Sequence, residues 1–228
     1  MVQTTCGPDE KAYLQYFKSK IGNKIPILFD VGFNRGDFTK EFLELFPDGT
    51  VYGFEPLPEI YGLSKKIFES NPNVIIENFG LGHISENATE YYLQDGFDGM
   101  SSVFYRPKYF PKFNVKIEHI ILKQFDLIAH NYPTPDFIKI DTEGMDFYVL
   151  KGMENLLSTK RPPLIQIEIG ECLIDAQVTF KEIIDFLYEK RYHVISREFI
   201  PVTPENVWEN YDCQNYLAIA NEFSSDFS

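Results

Sequence analysis

Short apolar runs alternate with amphipathic stretches along most of this chain, and the alternation predicts its elements. Pro26 to Val31 is apolar and breaks into glycines, and a helical spacing of apolar positions resumes from about Asp37 to Phe46. Pro47-Asp48-Gly49 is a turn, Thr50 to Phe54 a second strand, and Pro58 to Glu69 a helix with proline in its first turn. Asn71-Pro72-Asn73 turns the chain into a third strand at Val74 to Asn78. Later come a strand at Asp136 to Asp141, a helix from about Met145 to Leu157 and a strand at Leu164 to Glu168. A long helix over Thr179 to Arg191 and strands at Tyr192 to Ser196 and Asn215 to Ala220 complete the pattern. Strands alternating with helices imply an α/β fold, a mostly parallel sheet covered on both faces. The last two strands have no long helix between them, so an antiparallel edge strand is expected. Residues 10–22 add an N-terminal helical extension (about 1–24), with Ala12, Tyr13, Tyr16 and Phe17 on one face. Nothing divides the chain, so 1–228 reads as one domain.

The alternation fails once. Asn87 to Gln94 and Val115 to Leu122 have strand character without a helix between them, and they bracket a loop over about 95–114 rich in Gly, Phe, Tyr and Pro. A loop of that length in a compact domain is usually a lid or a binding segment. Its Phe97, Phe104, Tyr105, Tyr109 and Phe110, with Arg106 and Lys108, are expected to touch an acceptor, since aromatic faces stack on sugar rings. The competing reading buries the same rings against the core.

In an open parallel sheet, ligands bind outside the carboxyl ends of the strands. Those ends carry Asp30, Glu55, Asn78, Asp141 and Glu168, four of them acidic. The first strand runs into Asp30-Val31-Gly32-Phe33-Asn34-Arg35-Gly36, and Glu55 ends the next strand one βα interval later. A glycine turn beside such an acid makes a nucleoside pocket, the acid gripping a ribose diol. A dinucleotide fingerprint would place glycine where Asp30 stands. Aspartate there would repel a pyrophosphate but suits a ligand carrying an ammonium and a sulfonium, which is S-adenosyl-L-methionine. Gly32 and Gly36 then allow close backbone approach, Asp30 faces the ligand's amino-acid end, and Asn34 reaches its carboxylate. Asn78 borders the adenine. Asp30 as a plain helix cap is the alternative.

The formal charge of −13 disfavours nucleic acid and anionic membranes, because that binding is driven by Lys and Arg releasing counterions. The three cysteines, Cys6, Cys172 and Cys213, are too few and too scattered for a disulfide framework, and none sits in a C-x-x-C pair. The chain starts without an apolar signal segment, and no run approaches a membrane span. These features suggest a cytoplasmic location and no membrane insertion.

Asp30-Val31-Gly32-x-Asn34-x-Gly36, Phe54-Glu55-Pro56 and Ile138-Lys139-Ile140-Asp141-x-Glu143-Gly144 together resemble the FkbM family of S-adenosylmethionine-dependent methyltransferases. Val149-Leu150-x-Gly152, Pro162…Glu168 and Ser101-Ser102 also fit it, so the likeness covers roughly residues 27–170. Phe33 departs from it, a bulky ring where the family commonly has a small residue, and is expected to reshape the pocket wall; Thr142 replaces the commoner valine.

The resemblance implies a class I methyltransferase, Rossmann-like, and O-methylation, often of a sugar or of a glycosylated or polyketide hydroxyl. Ser101 and Ser102 would close over the methionyl part or the acceptor. A hydroxyl nucleophile needs a base within reach. Asp141 is the first candidate, with Glu143 and Glu168 beside it; Asp141 as a helix cap and Glu143 as a helix N-terminal acid are the structural alternatives. Asp141 and Glu168 could instead hold a divalent cation, though no metal ligand is assigned. His83, His119, His130 and His193 lack metal-binding spacing, and only His119 is placed to approach the rim. The expected acceptor is a small molecule or glycan. A polyketide, lipid-linked or peptide acceptor, or a non-catalytic nucleoside-binding protein, are the alternatives.

Overall fold

The computed structural model describes residues 8–94, 101–106 and 115–223. The chain runs α1 (Pro8–Ile21), β1 (Ile27–Val31), α2 (Asp37–Leu45), β2 (Thr50–Phe54), α3 (Pro58–Ile67) and β3 (Val74–Glu77). It continues through β4 (Gly80–Gly82), β5 (Glu86–Gln94), β6 (Val115–Gln124), α4 (Phe125–Ile128) and β7 (Phe137–Ile140). Then come α5 (Asp146–Gly152), α6 (Glu154–Thr159), β8 (Leu164–Ile169), α7 (Cys172–Asp175), α8 (Phe180–Glu189), β9 (Tyr192–Ile195), β10 (Pro201–Val202) and β11 (Gln214–Ala220).

The main sheet has strand order β10-β9-β11-β8-β7-β1-β2-β3. β3, β2, β1, β7 and β8 are parallel, while β11 runs antiparallel to both β8 and β9. The antiparallel pairing expected near the C-terminus is therefore present, but β11 is wedged inside the sheet and the two-residue β10 forms that edge. A smaller sheet, β4-β6-β5, sits beside the main one.

Apolar residues on both faces of each central strand build two cores. Leu28, Val51, Phe137 and Leu164 point to one face and meet Tyr13, Leu14 and Phe17 of α1 and Phe38 and Phe42 of α2. Phe29, Phe54, Ile138 and Ile165 point to the other, against Val149, Leu150, Ile183 and Leu187. Each such side chain contributes about 1.5–3 kcal/mol on burial, which makes these faces the main source of stability. The N-terminal helix is part of this core: Tyr13, Leu14 and Phe17 are fully buried, and Tyr13 Oη donates to the Asn215 carbonyl at 2.9 Å. Leu14 thus belongs to the buried face, with Ala12 and Tyr16 only at its margin.

The helix expected over 145–157 is two helices that break at Met153. The cause lies outside the segment. A Cβ on Gly152 would come 1.9 Å from the Gly82 carbonyl oxygen, so β4 packs directly on the helix backbone there. Asp126 then caps α6, accepting from the N–H groups of Asn155 and Leu156 at 2.7 and 3.0 Å. α8 starts at Thr179 with a reciprocal capping box to Glu182.

Candidate active site

The turn after β1 is held from below. Asp30 is fully buried; Thr39 Oγ1 donates to one carboxylate oxygen at 2.7 Å, and Lys139 Nζ lies 3.6 Å from the other. Lys139 is the cross-strand neighbour of Asp30, also lies 3.1 Å from Asp141 Oδ2, and donates to the Gly32 carbonyl at 3.2 Å. The charge of Asp30 is therefore answered inside the chain, where the sequence suggested a ligand's ammonium. Lys139 received no role from the sequence, although the signal was there. A lysine in a fully buried strand must find a counter-ion, and acids stood at both neighbouring strand ends.

Gly32 has φ 82°, and a Cβ there would lie 1.8 Å from the Asp141 carbonyl oxygen. Its close approach is thus to β7's exit, fastening the glycine turn to the candidate base. Asn34 is also left-handed (φ 48°), and its N–H donates to Glu55 Oε2 at 2.9 Å. Glu55 Oε1 accepts from the Leu57 N–H at 2.9 Å, so one carboxylate joins the exits of β1 and β2. Burial pushes Glu55 up to about 7, against the pull of those two N–H groups. Asn78 donates to the carbonyls of Glu55 and Pro56, both at 3.1 Å, and so braces the same corner. Phe33 does not shape a pocket wall. Its ring is buried, edge-on to Phe68 at 5.5 Å and seated over Gly53 and Gly36.

At the exits of β7 and β8, Asp141, Glu143 and Glu168 each bring one carboxylate oxygen within 4.8 Å of the others. All three catalytic candidates therefore meet. Among the described residues no histidine joins them, and His119 is an exposed residue on β6 opposite Glu90. Burial, and then Asp141's charge, push Glu143 up to about 8. Asp141's charge, followed by burial, holds Glu168 well above the usual carboxylate range. Glu143 sits at φ 53° in a tight turn that Asp146 closes by accepting from the N–H groups of Thr142 and Gly144, both at 3.0 Å. Beside the carboxylates lies a cavity of about 290 Å³, lined by Glu143, Glu168, Glu171, Arg106, Cys172 and Cys213 among others.

Part of the long loop covers this corner. Ser101 and Ser102 are buried, and Ser102 Oγ donates to the Glu143 carbonyl at 2.6 Å. Arg106 does not offer a free guanidinium to an acceptor: it is buried, 2.6 Å from Glu143 Oε2 and 3.5 Å from Asp175 Oδ2. Phe104 packs against Tyr148 with ring centres 5.9 Å apart, and Tyr105 is exposed. Phe97, Lys108, Tyr109 and Phe110 lie outside the described residues.

The sequence profile described as the methyltransferase FkbM domain matches residues 30–194, from the first strand-end acid to β9. The chain belongs to the FkbM methyltransferase family. No curated protein sequence matches it. Among solved structures, a putative rRNA-methylase from Clostridium thermocellum is similar over 91% of this chain and 91% of its own, at 11% identity and TM-score 0.51. Monomeric WbdD is similar over 95% of this chain at 13% identity and TM-score 0.52, and this chain spans 41% of WbdD. These likenesses establish the class I methyltransferase fold. FkbM membership and the fold together imply S-adenosylmethionine as cofactor. The site fits such a group in two respects. Glu55 stands beside the turn, one oxygen accepting from the Asn34 N–H and the other from the Leu57 N–H, and Ser101 Oγ and Thr142 Oγ1 are buried without hydrogen-bond partners in the surrounding chain. The carboxylate cluster also offers the oxygen donors a divalent cation takes, but Arg106 already brings positive charge to Glu143.

Proposed function

We propose that this FkbM-family protein is an O-methyltransferase that transfers a methyl group from S-adenosylmethionine to a hydroxyl of a sugar or glycoconjugate. The observation that carries the reading is the meeting of Asp141, Glu143 and Glu168 beside a cavity, with the Gly32 turn fastened to Asp141. S-adenosylmethionine would supply an electrophilic methyl on a sulfonium, which an in-line displacement transfers. Glu55 would accept the ribose hydroxyls, Asn34 would meet the carboxylate end, and Ser101 and Ser102 would close over the methionyl part. Asn78 would border the adenine while holding the corner, and Gly36 would shape the start of α2.

Asp141 is the base. Its side chain is about one-third exposed, at 35%, so an acceptor can reach it, and Lys139 holds it in place. Asp141 would take the proton of the acceptor hydroxyl as that oxygen receives the methyl group and the demethylated cofactor leaves. Glu143 and Glu168, both displaced toward protonation, serve as hydrogen-bond partners for neighbouring sugar hydroxyls. A cavity rimmed by carboxyl groups suits a polyol better than an anionic acceptor.

The test uses methyl-labelled S-adenosylmethionine with neutral oligosaccharides and cell glycans, read by mass spectrometry as the gain of one methyl in place of hydrogen. Asp141→Asn is expected to lower transfer about 10²-fold or more while cofactor affinity stays within a few fold. Transfer at near wild-type rate would remove Asp141 from the base role. Label appearing only on lipid, polyketide or peptide would reassign the acceptor.

A further inference from the structure

Residues 101–106, between β5 and β6, are fastened over the site at several points, and one of them is Tyr91 on β5. Tyr91 Oη donates to the Ser101 carbonyl at 2.8 Å. The next residue, Ser102, bonds the Glu143 carbonyl and also accepts from the Phe104 N–H at 3.1 Å. Tyr91, Ser101 and Ser102 therefore form one continuous roof, tied at Ser102 to the turn after β7. Within it Ser101 is 1% exposed and its hydroxyl has no partner, while Thr142 Oγ1 in the turn below is likewise unmet. A buried hydroxyl left unmet is costly, and a ligand held between roof and turn would relieve both.

What Tyr91 presents to that space follows from its hydrogen bond. The phenol has a single proton, and Ser101 takes it. The remaining lone pairs and the ring face are electron-rich. The charges acting on the hydroxyl come from two sides of the site, from Glu55 at the exit of β2 and from Glu143 and Asp141 beyond β7. Tyr91 Oη thus lies one hydrogen bond from Ser101, the residue proposed above to close over the methionyl part that carries the sulfonium.

We propose that Tyr91 is a cofactor-contacting residue that senses the positive charge of the methyl donor, through its oxygen lone pairs and ring face. The inference rests on the function proposed above and extends it. Tyr91 favours the charged donor over its neutral demethylated product, so that transfer itself weakens the grip on the cofactor.

Calorimetric titration tests this with S-adenosylmethionine and S-adenosylhomocysteine on wild type, Tyr91→Phe and Tyr91→Leu, with thermal melts confirming the fold. Tyr91→Phe is expected to weaken S-adenosylmethionine binding about 3–10-fold and to leave S-adenosylhomocysteine within about twofold, with Tyr91→Leu losing more of the same preference. Equal loss for both ligands would make Tyr91 a structural residue and overturn the proposal, as would no loss for either. Tyr91→Phe keeps the ring and volume, so it reports even if Tyr91→Leu fails to fold. Wild type binding neither ligand would instead defeat the underlying assignment of the cofactor.

Discussion

Glu55 is pulled two ways, by burial that favours the neutral acid and by two N–H groups that favour the carboxylate. A ribose diol donates to a carboxylate, so cofactor binding selects the ionised form and releases a proton wherever Glu55 is protonated in the free protein. Affinity for S-adenosylmethionine should therefore rise with pH until about 7 and level off above it. Calorimetry at about pH 5.5 and about pH 8 is expected to show roughly a tenfold tighter Kd at the higher pH, with proton release at the lower. A flat profile would mean that Glu55 does not meet the diol. At this scale the sequence revealed which residues gather at the strand ends but not whom each one faces. Asp30 and Asp141 were legible as strand-end acids. That Lys139 stands between them, and that Arg106 is bound to Glu143, depends on strands and loops brought together from distant positions.

Elements were most legible where one segment carries its own periodicity. β1, β2, β7, β8 and α8 fall where the apolar spacing puts them, and Thr179 with Glu182 is a start signal written in four residues. The division of α5 from α6 was not legible, because what requires Gly152 is the backbone of β4, a strand too short to announce itself. β10, two residues long, was missed for the same reason. Gly152→Ala should force the helix off β4, since its Cβ would meet the Gly82 carbonyl at 1.9 Å. A loss of about 3 kcal/mol is expected, read as a fall in Tm of roughly 10 °C. A variant melting with wild type would show that β4 can move aside freely. The roof segment is an element of another kind: Ser102 and Arg106 tie it to the turn at Glu143, Arg106 also meets Asp175, and Tyr91 ties it to β5.

For the whole molecule, the buried acids set the pH dependence of stability. Glu55, Asp146 and Glu143 are displaced up to about 7, 6 and 8. Each binds more protons folded than unfolded between the ordinary carboxylate range and its raised value, so stability falls as pH climbs through that window. The net charge of −13 acts in the same direction through self-repulsion. Tm measured without cofactor should drop by about 5–10 °C from about pH 6 to about pH 8.5, and salt should restore only the self-repulsion part. A Tm that climbs over this range would contradict the sign.

The position of β11 has a consequence for biogenesis. β8 and β9 never pair with each other; both wait for a strand that is synthesised after them. Until residues 214–220 leave the ribosome, the nascent chain carries two unsatisfied strand borders at the middle of its future sheet. α1, made before β11, also lacks until then the strand against which Tyr13 rests. Folding of this domain is thus deferred until residues 214–220 emerge, and a chain cut short before residue 214 would be a template for misassembly with its own copies.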